Sequence, residues 1–431
     1  MVSLLAVARS ALFALSPLVF PVLLLLAGGI GVARAEDANA IPPSAPRAGE
    51  ATSNTQGGTS GALRAGLYTD GDQTTVFRTL ASVSSAFGNW TITGGASVDV
   101  ISSSSVDVRS SPGLSRVEVV SGASGSSSTS GGKMSDRRLQ ATGGVGWRDG
   151  GGHAANLTAS YANERDYNSI SGGLNGSVDL FHRNTTLLGG FTYTENWIAS
   201  VLDPTFAQSM YEIGASVGLA QVLSPSDALR LRYDGSAAHG YQASPYRNVR
   251  FGDWTTSTGS NQQITFSNTI GSPNGLPETV PDTRLRHALV LEWVHSLVEG
   301  LGIYSLARLG TDSWGVKSAT ASLGLRAAVT NWRLQVSYRF YIQSSASFYE
   351  SKYTAAPSSY SYYTSDKELG REIGHEVSLD LARVLLQSRR PGDPRLLLDG
   401  KVAGFYYDYP GFVLLGSRAG VFIDLGLTWE L

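Results

Sequence analysis

Residues 421–431, VFIDLGLTWEL, alternate between apolar and mostly polar side chains up to the last residue of the chain. The odd-numbered positions are all apolar, whereas the even-numbered ones include Asp424, Thr428 and Glu430. A period of two indicates a β-strand with one apolar and one polar face. Such a final strand, in a chain with an export signal, is typical of a transmembrane β-barrel, whose apolar face meets lipid and whose polar face lines a wet lumen.

The N-terminus has the features of a secretory signal peptide. Arg9 precedes a long apolar run, and residues 33–35 (Ala-Arg-Ala) match a small-residue cleavage site. We therefore predict a cleaved signal peptide at residues 1–35. An uncleaved inner-membrane anchor is the alternative, and the prolines Pro17 and Pro21 disfavour it.

The mature chain is predicted to have two parts. Residues 36–61 are rich in Pro, Ser and Gly and lack periodicity, which indicates a disordered periplasmic lead-in. Residues 62–431 are predicted to be the outer-membrane β-barrel. No second apolar run reaches the length of a membrane helix.

Composition excludes several classes of protein. The chain has no cysteine, which excludes a lipid-anchored lipoprotein, a disulfide scaffold and cysteine metal sites. Its formal charge of −2 becomes −4 when Arg9 and Arg34 leave with the signal peptide, so nucleic acid is not an expected partner. No clustered spacing of His, Asp and Glu suggests a metal site, and we expect no cofactor.

Connections of two lengths separate the strand-sized segments. The short ones are residues 88–89, 150–153, 182–184, 224–227, 330–331 and 387–394. The long ones are residues 103–136, 242–283 and 344–371, with a medium one at 198–210. Short and long connections alternate along the chain, so they would lie at opposite ends of a barrel. We therefore predict an all-β fold, a porin-like antiparallel β-barrel of about sixteen strands with short periplasmic turns and long external loops.

Five tryptophans fall at the predicted periplasmic rim, each on the apolar face of its strand. They are Trp90, Trp147, Trp293, Trp332 and Trp429. An aromatic girdle at the lipid headgroups predicts this distribution, whereas tryptophans that fill the core of a soluble β-sandwich would not sort to one side.

The opposite face of the strands carries many charges, which are candidate lumen-lining residues. They are Arg230, Arg232, Asp234, Arg284, Arg286, Glu292, Arg326, Arg333, Arg339, Glu376, Asp380, Asp399, Lys401 and Asp424. We expect Arg230 and Arg232 near Glu292, and Asp234 closer to Arg286. Two interpretations stay open: a charge-lined pore that biases which solutes pass, or a ladder of salt bridges that plugs and stiffens the lumen.

The loop at 344–371 is rich in aromatic residues. They are Phe348, Tyr349, Tyr353, Tyr360, Tyr362 and Tyr363. They could pack against neighbouring loops, fold inward to constrict the barrel, or stack on sugars.

A barrel hydrolase needs a histidine base close to a serine nucleophile, often as His-x-Ser on one face of a strand. None of the six histidines has a serine two residues later, and His295 and Ser296 are adjacent, so they point to opposite faces. The sequence therefore does not predict an enzyme.

Four phrases resemble domain-of-unknown-function family 3570 of proteobacterial proteins: NTTL (184–187), SPYR (244–247), PDTRLRHAL (281–289) and SYRFYIQSSASFY (337–349). The resemblance implies an outer-membrane barrel of this size and implies no activity. The loop at 103–136 is unusually rich in serine and glycine here.

The sequence thus favours a passive porin-like channel for small polar solutes in the Gram-negative outer membrane. A non-conducting structural or surface-binding barrel that scaffolds a partner complex is the alternative, and an outer-membrane hydrolase is the third. Expected partners are outer-membrane lipid and, during insertion, the barrel-assembly machinery; a homo-oligomer or a periplasmic partner stays open.

Overall fold

Alternating residues of the strands have opposite environments, and this alternation builds the fold. In the last strand, for example, Leu425 is 60% exposed and its neighbour Asp424 only 5%. The computed structural model describes residues 58–103, 134–256, 264–271, 275–386 and 395–431. The predicted signal peptide, most of the predicted lead-in, the centre of the 103–136 loop and the predicted turn at 387–394 lie outside these residues.

The described residues form a closed barrel of sixteen antiparallel strands, as the sequence predicted. The barrel strands are β1 (Gly58–Asp70), β2 (Thr74–Phe87), β3 (Trp90–Ser103), β4 (Met134–Arg148), β5 (His153–Asn163), β6 (Tyr167–Leu180), β7 (Thr185–Ala199), β8 (Ala207–Ser224), β9 (Asp227–Gly240), β14 (Thr283–Val298), β15 (Leu301–Asp312), β16 (Lys317–Val329), β17 (Trp332–Gln343), β18 (Glu372–Leu386), β19 (Arg395–Asp408) and β20 (Ser417–Glu430). Each pairs with the next, and β20 pairs with β1 to close the barrel.

The connection between β9 and β14 is folded. It contains β10 (Asn248–Val249), β11 (Gly252–Thr256), β12 (Ile264–Thr269) and β13 (Leu276–Pro277), which form two small two-stranded sheets. The connection between β17 and β18 contains 3-10 turns at Pro357–Ser359 and Lys367–Leu369. Within the described residues, no helix has the length and apolar character needed to cross a membrane.

The two ends of the barrel differ. We call the end that carries these two folded connections the loop end, and the opposite end, which carries turns such as 88–89 and 330–331, the turn end. The loop end also carries the shorter connections 71–73, 164–166, 200–206, 313–316 and 409–416. The final residue, Leu431, lies at the turn end, where it pairs with Thr59.

The start of the barrel differs from the prediction. β1 begins at Gly58, so residues 58–61 belong to the strand and not to the lead-in. Gly61 lies opposite Trp429, and a Cβ atom there would fall 2.2 Å from the indole ring. A side chain at this place would require the Trp429 indole to move. The first residues of β1 are small, so apolar periodicity does not mark where the strand begins.

Candidate functional site

Paired charges line the inner face of the strands from β9 to β20. Arg230 forms an ion pair with Glu292, its direct neighbour on β14, as the sequence predicted. Arg232 pairs with Asp234 on its own strand at 2.9 Å. Asp234 lies opposite Ala288, close to Arg286 as expected, and Arg286 forms an ion pair with Glu212 on β8 at 3.2 Å.

The pair nearest the loop end is the most buried of this group. Arg284 contacts Asp312 at 2.5 Å, and the two side chains are 4% and 6% exposed. The guanidinium also lies 4.3 Å from the centre of the Trp314 ring. Removing one partner of such a buried pair leaves a charge without compensation, so this pair is a structural element of the wall.

The later strands carry a second group of the predicted charges. Glu376 forms an ion pair with Arg339 at 3.7 Å and lies 4.0 Å from Lys401. Arg326 donates to the side chain of Gln335, and Asp380 lies beside Ser378. Arg333, close to the turn end, is exposed.

Arg64 on β1 links two predicted residues, although the sequence analysis did not select it. Its guanidinium lies 2.7 Å from both Asp399 and Asp424. Arg78 likewise pairs with Asp99 at 2.5 Å. In their strands, these arginines are surrounded mainly by small and apolar residues. Their even-numbered positions, which point inward, are the sequence feature that could have identified them as lumen residues.

The two sides of the lumen have different chemistry. The middle of β4 to β8 presents small polar or glycine positions inward, namely Thr142, Gly144, Thr158, Ser160, Ser171, Gly173, Thr192, Thr194, Ser216 and Gly218. The strands from β9 to β20 present the long charged side chains described above. Apart from the buried Arg284–Asp312 pair, several of these side chains keep partial exposure, for example 26% for Arg232 and 24% for Asp234, so they are not part of a dry core.

The five predicted girdle tryptophans lie near the turn end. Trp90 and Trp147 face each other across neighbouring strands. The indole N–H of Trp293 donates to Asp227, and Arg383 lies 4.9 Å from the centre of the Trp332 ring. Trp429 covers Gly61, as described above. Whether this row sits at a lipid interface stays a prediction.

A cap joins the two folded connections at the loop end; we use this name for residues 241–256, 264–271 and 275–282 together with 344–371. Its centre is an aromatic cluster in which Phe251 contacts Tyr353 and Tyr363 at ring distances of 5.5 and 5.0 Å. Tyr360 packs against Tyr353 at 5.0 Å. The aromatic residues of the 344–371 loop thus pack against a neighbouring connection, one of the three predicted uses.

Buried charges hold the cap together beneath this cluster. Arg247 contacts Glu278 at 3.1 Å and Asp366 at 3.0 Å, and Thr364 donates to Glu278 at 2.6 Å. Burial raises the pKa of the Glu278 carboxyl above its ordinary value, and Arg247 acts in the opposite direction. A small cavity lies under the cap, lined by residues that include Met210, Gln242, Glu278, Arg284, Trp314 and Leu369.

The cap is also tied to the barrel wall on both sides. Tyr246 donates its hydroxyl proton to Asp166 in the β5–β6 connection. On the other side, Glu368 lies 3.7 Å from Arg418 of β20, which also lies 3.8 Å from Asp70 at the end of β1. These contacts therefore anchor the cap along most of the loop-end rim, from the β5–β6 connection to β1.

An acidic cluster lies at the first of these anchoring points. One oxygen from each of Asp136, Glu164 and Asp166 lies within 4.8 Å of the other two. Burial raises the pKa of Glu164 to about 8, although Arg138 opposes the shift. The sequence analysis missed this cluster because Asp136 is on another strand, far from the other two in sequence.

The histidines bear on the hydrolase alternative. His239 contacts Thr283, His287 contacts Tyr233 and His375 contacts Tyr338, all on the outer face of the barrel. The remaining contacts pair His153 with Asp149 and His295 with Asp227. None of these five contacts is with a serine, so they add no support to a serine hydrolase.

The closed antiparallel barrel, with apolar residues outside and paired charges inside, defines an outer-membrane type of β-barrel. Residues 207–377 match the profile of a family of proteins of unknown function, DUF3570, and this match confirms the family resemblance found in the sequence. No curated protein matches the chain significantly.

Three solved structures illustrate what the fold is similar to. A bacterial polysaccharide outer membrane secretin has 8% identity and a TM-score of 0.45, over 86% of this chain and 98% of its own. The CymD monoaromatic hydrocarbon channel has 9% identity and a TM-score of 0.37, over 86% and 88%. The Pseudomonas putida toluene transporter TodX has 10% identity and a TM-score of 0.35, over 86% and 89%.

Proposed function

We propose that the mature chain lies in a Gram-negative outer membrane with its loop end outside, and that its lumen is a passive path for small polar solutes. The observation that supports this proposal best is the two-sided lumen. Hydroxyl groups and glycines on β4 to β8 face partly exposed ion pairs on the strands from β9 to β20. A barrel of sixteen strands is wide enough for an aqueous path beside such walls.

The pairing of charges also bears on selectivity. Arg230, Arg232 and Arg286 each lie against a carboxylate, so the local fields of opposite sign largely cancel. We therefore expect weak selectivity between cations and anions. Discrimination by size at the cap would then matter more than discrimination by charge.

Lipid contact and assembly follow from the same arrangement. The apolar outer face would contact outer-membrane lipid, and β20 would be the strand that the barrel-assembly machinery recognises, because it ends the chain with alternating residues. A homo-oligomer or a periplasmic partner is compatible with this orientation.

The cap favours one alternative, a non-conducting barrel that presents a surface to a partner. Its aromatic cluster and buried charges give a folded external surface, and Tyr362 on it is 41% exposed. In this alternative the salt-bridge ladder stiffens the barrel and the cap carries the function.

Conductance across a planar lipid bilayer tests the proposal. Purified protein, refolded and shown to be heat-modifiable, is expected to give discrete conductance steps. A variant in which residues 350–363 are replaced by a short Gly-Ser linker is expected to give larger steps, because the aromatic centre of the cap is removed. Folded protein that stays silent with and without these residues would support the non-conducting alternative.

A further inference from the structure

The acidic cluster at the loop end is built from two different elements. Asp136 lies near the start of β4, and Glu164 and Asp166 belong to the connection between β5 and β6. One oxygen of each carboxylate lies within 4.8 Å of the other two. Two oxygens bound to opposite sides of one calcium ion are separated by about 4.8 Å, since each Ca–O distance is about 2.4 Å. One ion could therefore touch all three carboxylates.

The carboxylate of Glu164 is buried without a hydrogen-bond donor among the described residues. Its side chain is 1% exposed, yet neither carboxylate oxygen accepts a hydrogen bond from any residue that the structure describes. Asp166, beside it, accepts a hydrogen bond from Tyr246. Buried carboxylates are almost always hydrogen-bonded, so the Glu164 oxygens point to a ligand that would occupy the space within the cluster.

Arg138 forms an ion pair with Glu164 but not a hydrogen bond. Its Nε lies 3.5 Å from Oε1 of Glu164, and that N–H makes no hydrogen bond within the described residues. A cation bound between the three carboxyl groups would supply the partner that the Glu164 oxygens lack.

We propose that Asp136, Glu164 and Asp166 bind a hard divalent cation, with Ca²⁺ as the preferred ion. All three ligands are oxygens, which Ca²⁺ and Mg²⁺ prefer over nitrogen or sulfur. Carboxylates from a strand and a turn give an irregular site that suits the flexible coordination of Ca²⁺ better than the strict octahedron of Mg²⁺. Water molecules would complete the coordination. Sites of this kind in extracellular modules bind Ca²⁺ with a Kd of about 10⁻⁴ to 10⁻³ M.

The position of the site means that a bound ion would also affect how the cap is attached to the barrel. Asp166 is the residue that anchors the cap through Tyr246, and the hydroxyl of Tyr246 also accepts a hydrogen bond from the backbone of Val201 at 3.0 Å. An ion held by Asp166 would therefore fix the joint between the barrel wall and the cap. Cation binding here does not depend on whether the lumen conducts.

Calorimetric titration of CaCl₂ into the refolded full chain, pre-treated with EDTA, tests the site. We expect one saturable binding event in the range given above, weaker binding of Mg²⁺, and a higher midpoint of heat modification with Ca²⁺. Glu164→Gln should weaken Ca²⁺ binding by at least tenfold. Asp203→Asn is the matched control, because Asp203 is an exposed acid in the next loop-end connection and its carboxylate accepts hydrogen bonds from Thr205 in that connection.

Two results would overturn the proposal. One is folded wild-type protein with no saturable Ca²⁺ binding, and the other is a Glu164→Gln protein with the affinity of the wild type. If Glu164→Gln does not fold, Asp136→Asn replaces it, and the same tenfold loss is required. Equal loss of affinity in Asp203→Asn would show binding to general surface charge and would also reject the site.

Discussion

The hydroxyl of Tyr246 donates a hydrogen bond to Asp166, although four barrel strands, β6 to β9, lie between the two connections that carry these residues. Both side chains are buried. The hydrogen bond therefore holds the cap over a part of the rim to which it has no covalent link. Its loss should loosen the cap without opening the barrel, because the strand ladder is not involved.

Tyr246→Phe tests this anchoring. The substitution keeps the ring and removes only the hydroxyl, leaving a buried carboxylate oxygen without its donor at a cost of about 1–3 kcal/mol. Hydrogen exchange in residues 241–256 should speed up by roughly tenfold or more, whereas exchange in the strands should not change. Tyr362→Phe is the control, since Tyr362 is 41% exposed. Equal acceleration in both variants would contradict an anchoring role.

The pH dependence of the cap should follow Glu278. Burial raises the pKa of this carboxyl, so the folded cap binds a proton more tightly than the unfolded cap does. The stabilisation of the folded cap by this group is therefore fully present below the ordinary carboxyl pKa of about 4.3. It declines as the pH rises towards the pKa that the group has in the folded cap. Asp366 shares Arg247 with Glu278 and adds negative charge in the same place.

Hydrogen exchange of the cap at several pH values, corrected for the intrinsic exchange rate, measures this effect. The protection of wild-type protein should fall as the pH rises from about 4.3, and the slope should be reduced in Glu278→Gln, which is always neutral. Glu350→Gln, an exposed acid in the same cap, should keep the wild-type slope. Identical slopes in all three proteins would show that Glu278 does not control the cap.

Topology can be tested on intact cells with single cysteines, since the chain has none. A cysteine at Ser359, exposed in the cap, and one at Ser128, in the long connection between β3 and β4, should react with a membrane-impermeant maleimide. A cysteine at Asn89, in the turn between β2 and β3, should not react until the outer membrane is permeabilised. The reverse pattern would invert the proposed orientation.

The barrel could be predicted from the sequence because its signal is local. Period-two alternation fixes which face of each strand points inward, and antiparallel pairing then brings Arg230 to Glu292. The same register places Asp234 closer to Arg286 than to Glu292, as expected. The ion pair between Arg286 and Glu212 was not predicted, because Glu212 is on the other neighbouring strand. Residues 58–61 were missed because small residues pair without an apolar pattern.

The cap and the acidic cluster could not be predicted in the same way. Phe251 and Tyr353 are brought together by two connections that have no periodicity, and Asp136 of β4 meets Glu164 of a connection, so no spacing in the sequence marks either contact. The aromatic content of 344–371 left packing, constriction and sugar stacking open, and it did not indicate a packing partner. Such contacts depend on tertiary structure alone.

Closure of the barrel should depend on the last strand. Trp429 lies against Gly61 of β1 and opposite Leu396 of β19, so it contributes to both seams of β20. Replacing Trp429 and Leu431 by aspartate places charges on the apolar face and should abolish heat-modifiable, membrane-inserted protein. Thr428→Asp, on the inward face of the same strand, should still insert. Normal insertion of the double variant would show that this face is not required.

The last prediction concerns the charge selectivity of the lumen. Replacing Arg230, Arg232, Arg284 and Arg286 by glutamine removes the arginine partners of Glu292, Asp234, Asp312 and Glu212. The lumen becomes more negative, so the reversal potential in a KCl gradient should shift towards cations. The four positions are not equal, however, because the Arg284–Asp312 pair is almost fully buried and breaking it costs about 3–5 kcal/mol.

The double variant Arg230→Gln/Arg232→Gln therefore separates selectivity from stability. Both arginines are partly exposed, at 14% and 26%, so the barrel should fold and the cation shift should persist in reduced size. Arg333→Gln is the control, because Arg333 is exposed near the turn end and its field is screened by salt. A folded double variant that conducts with the wild-type reversal potential would place the ion path elsewhere. Unfolding of the double variant would instead make these two arginines part of a structural ladder.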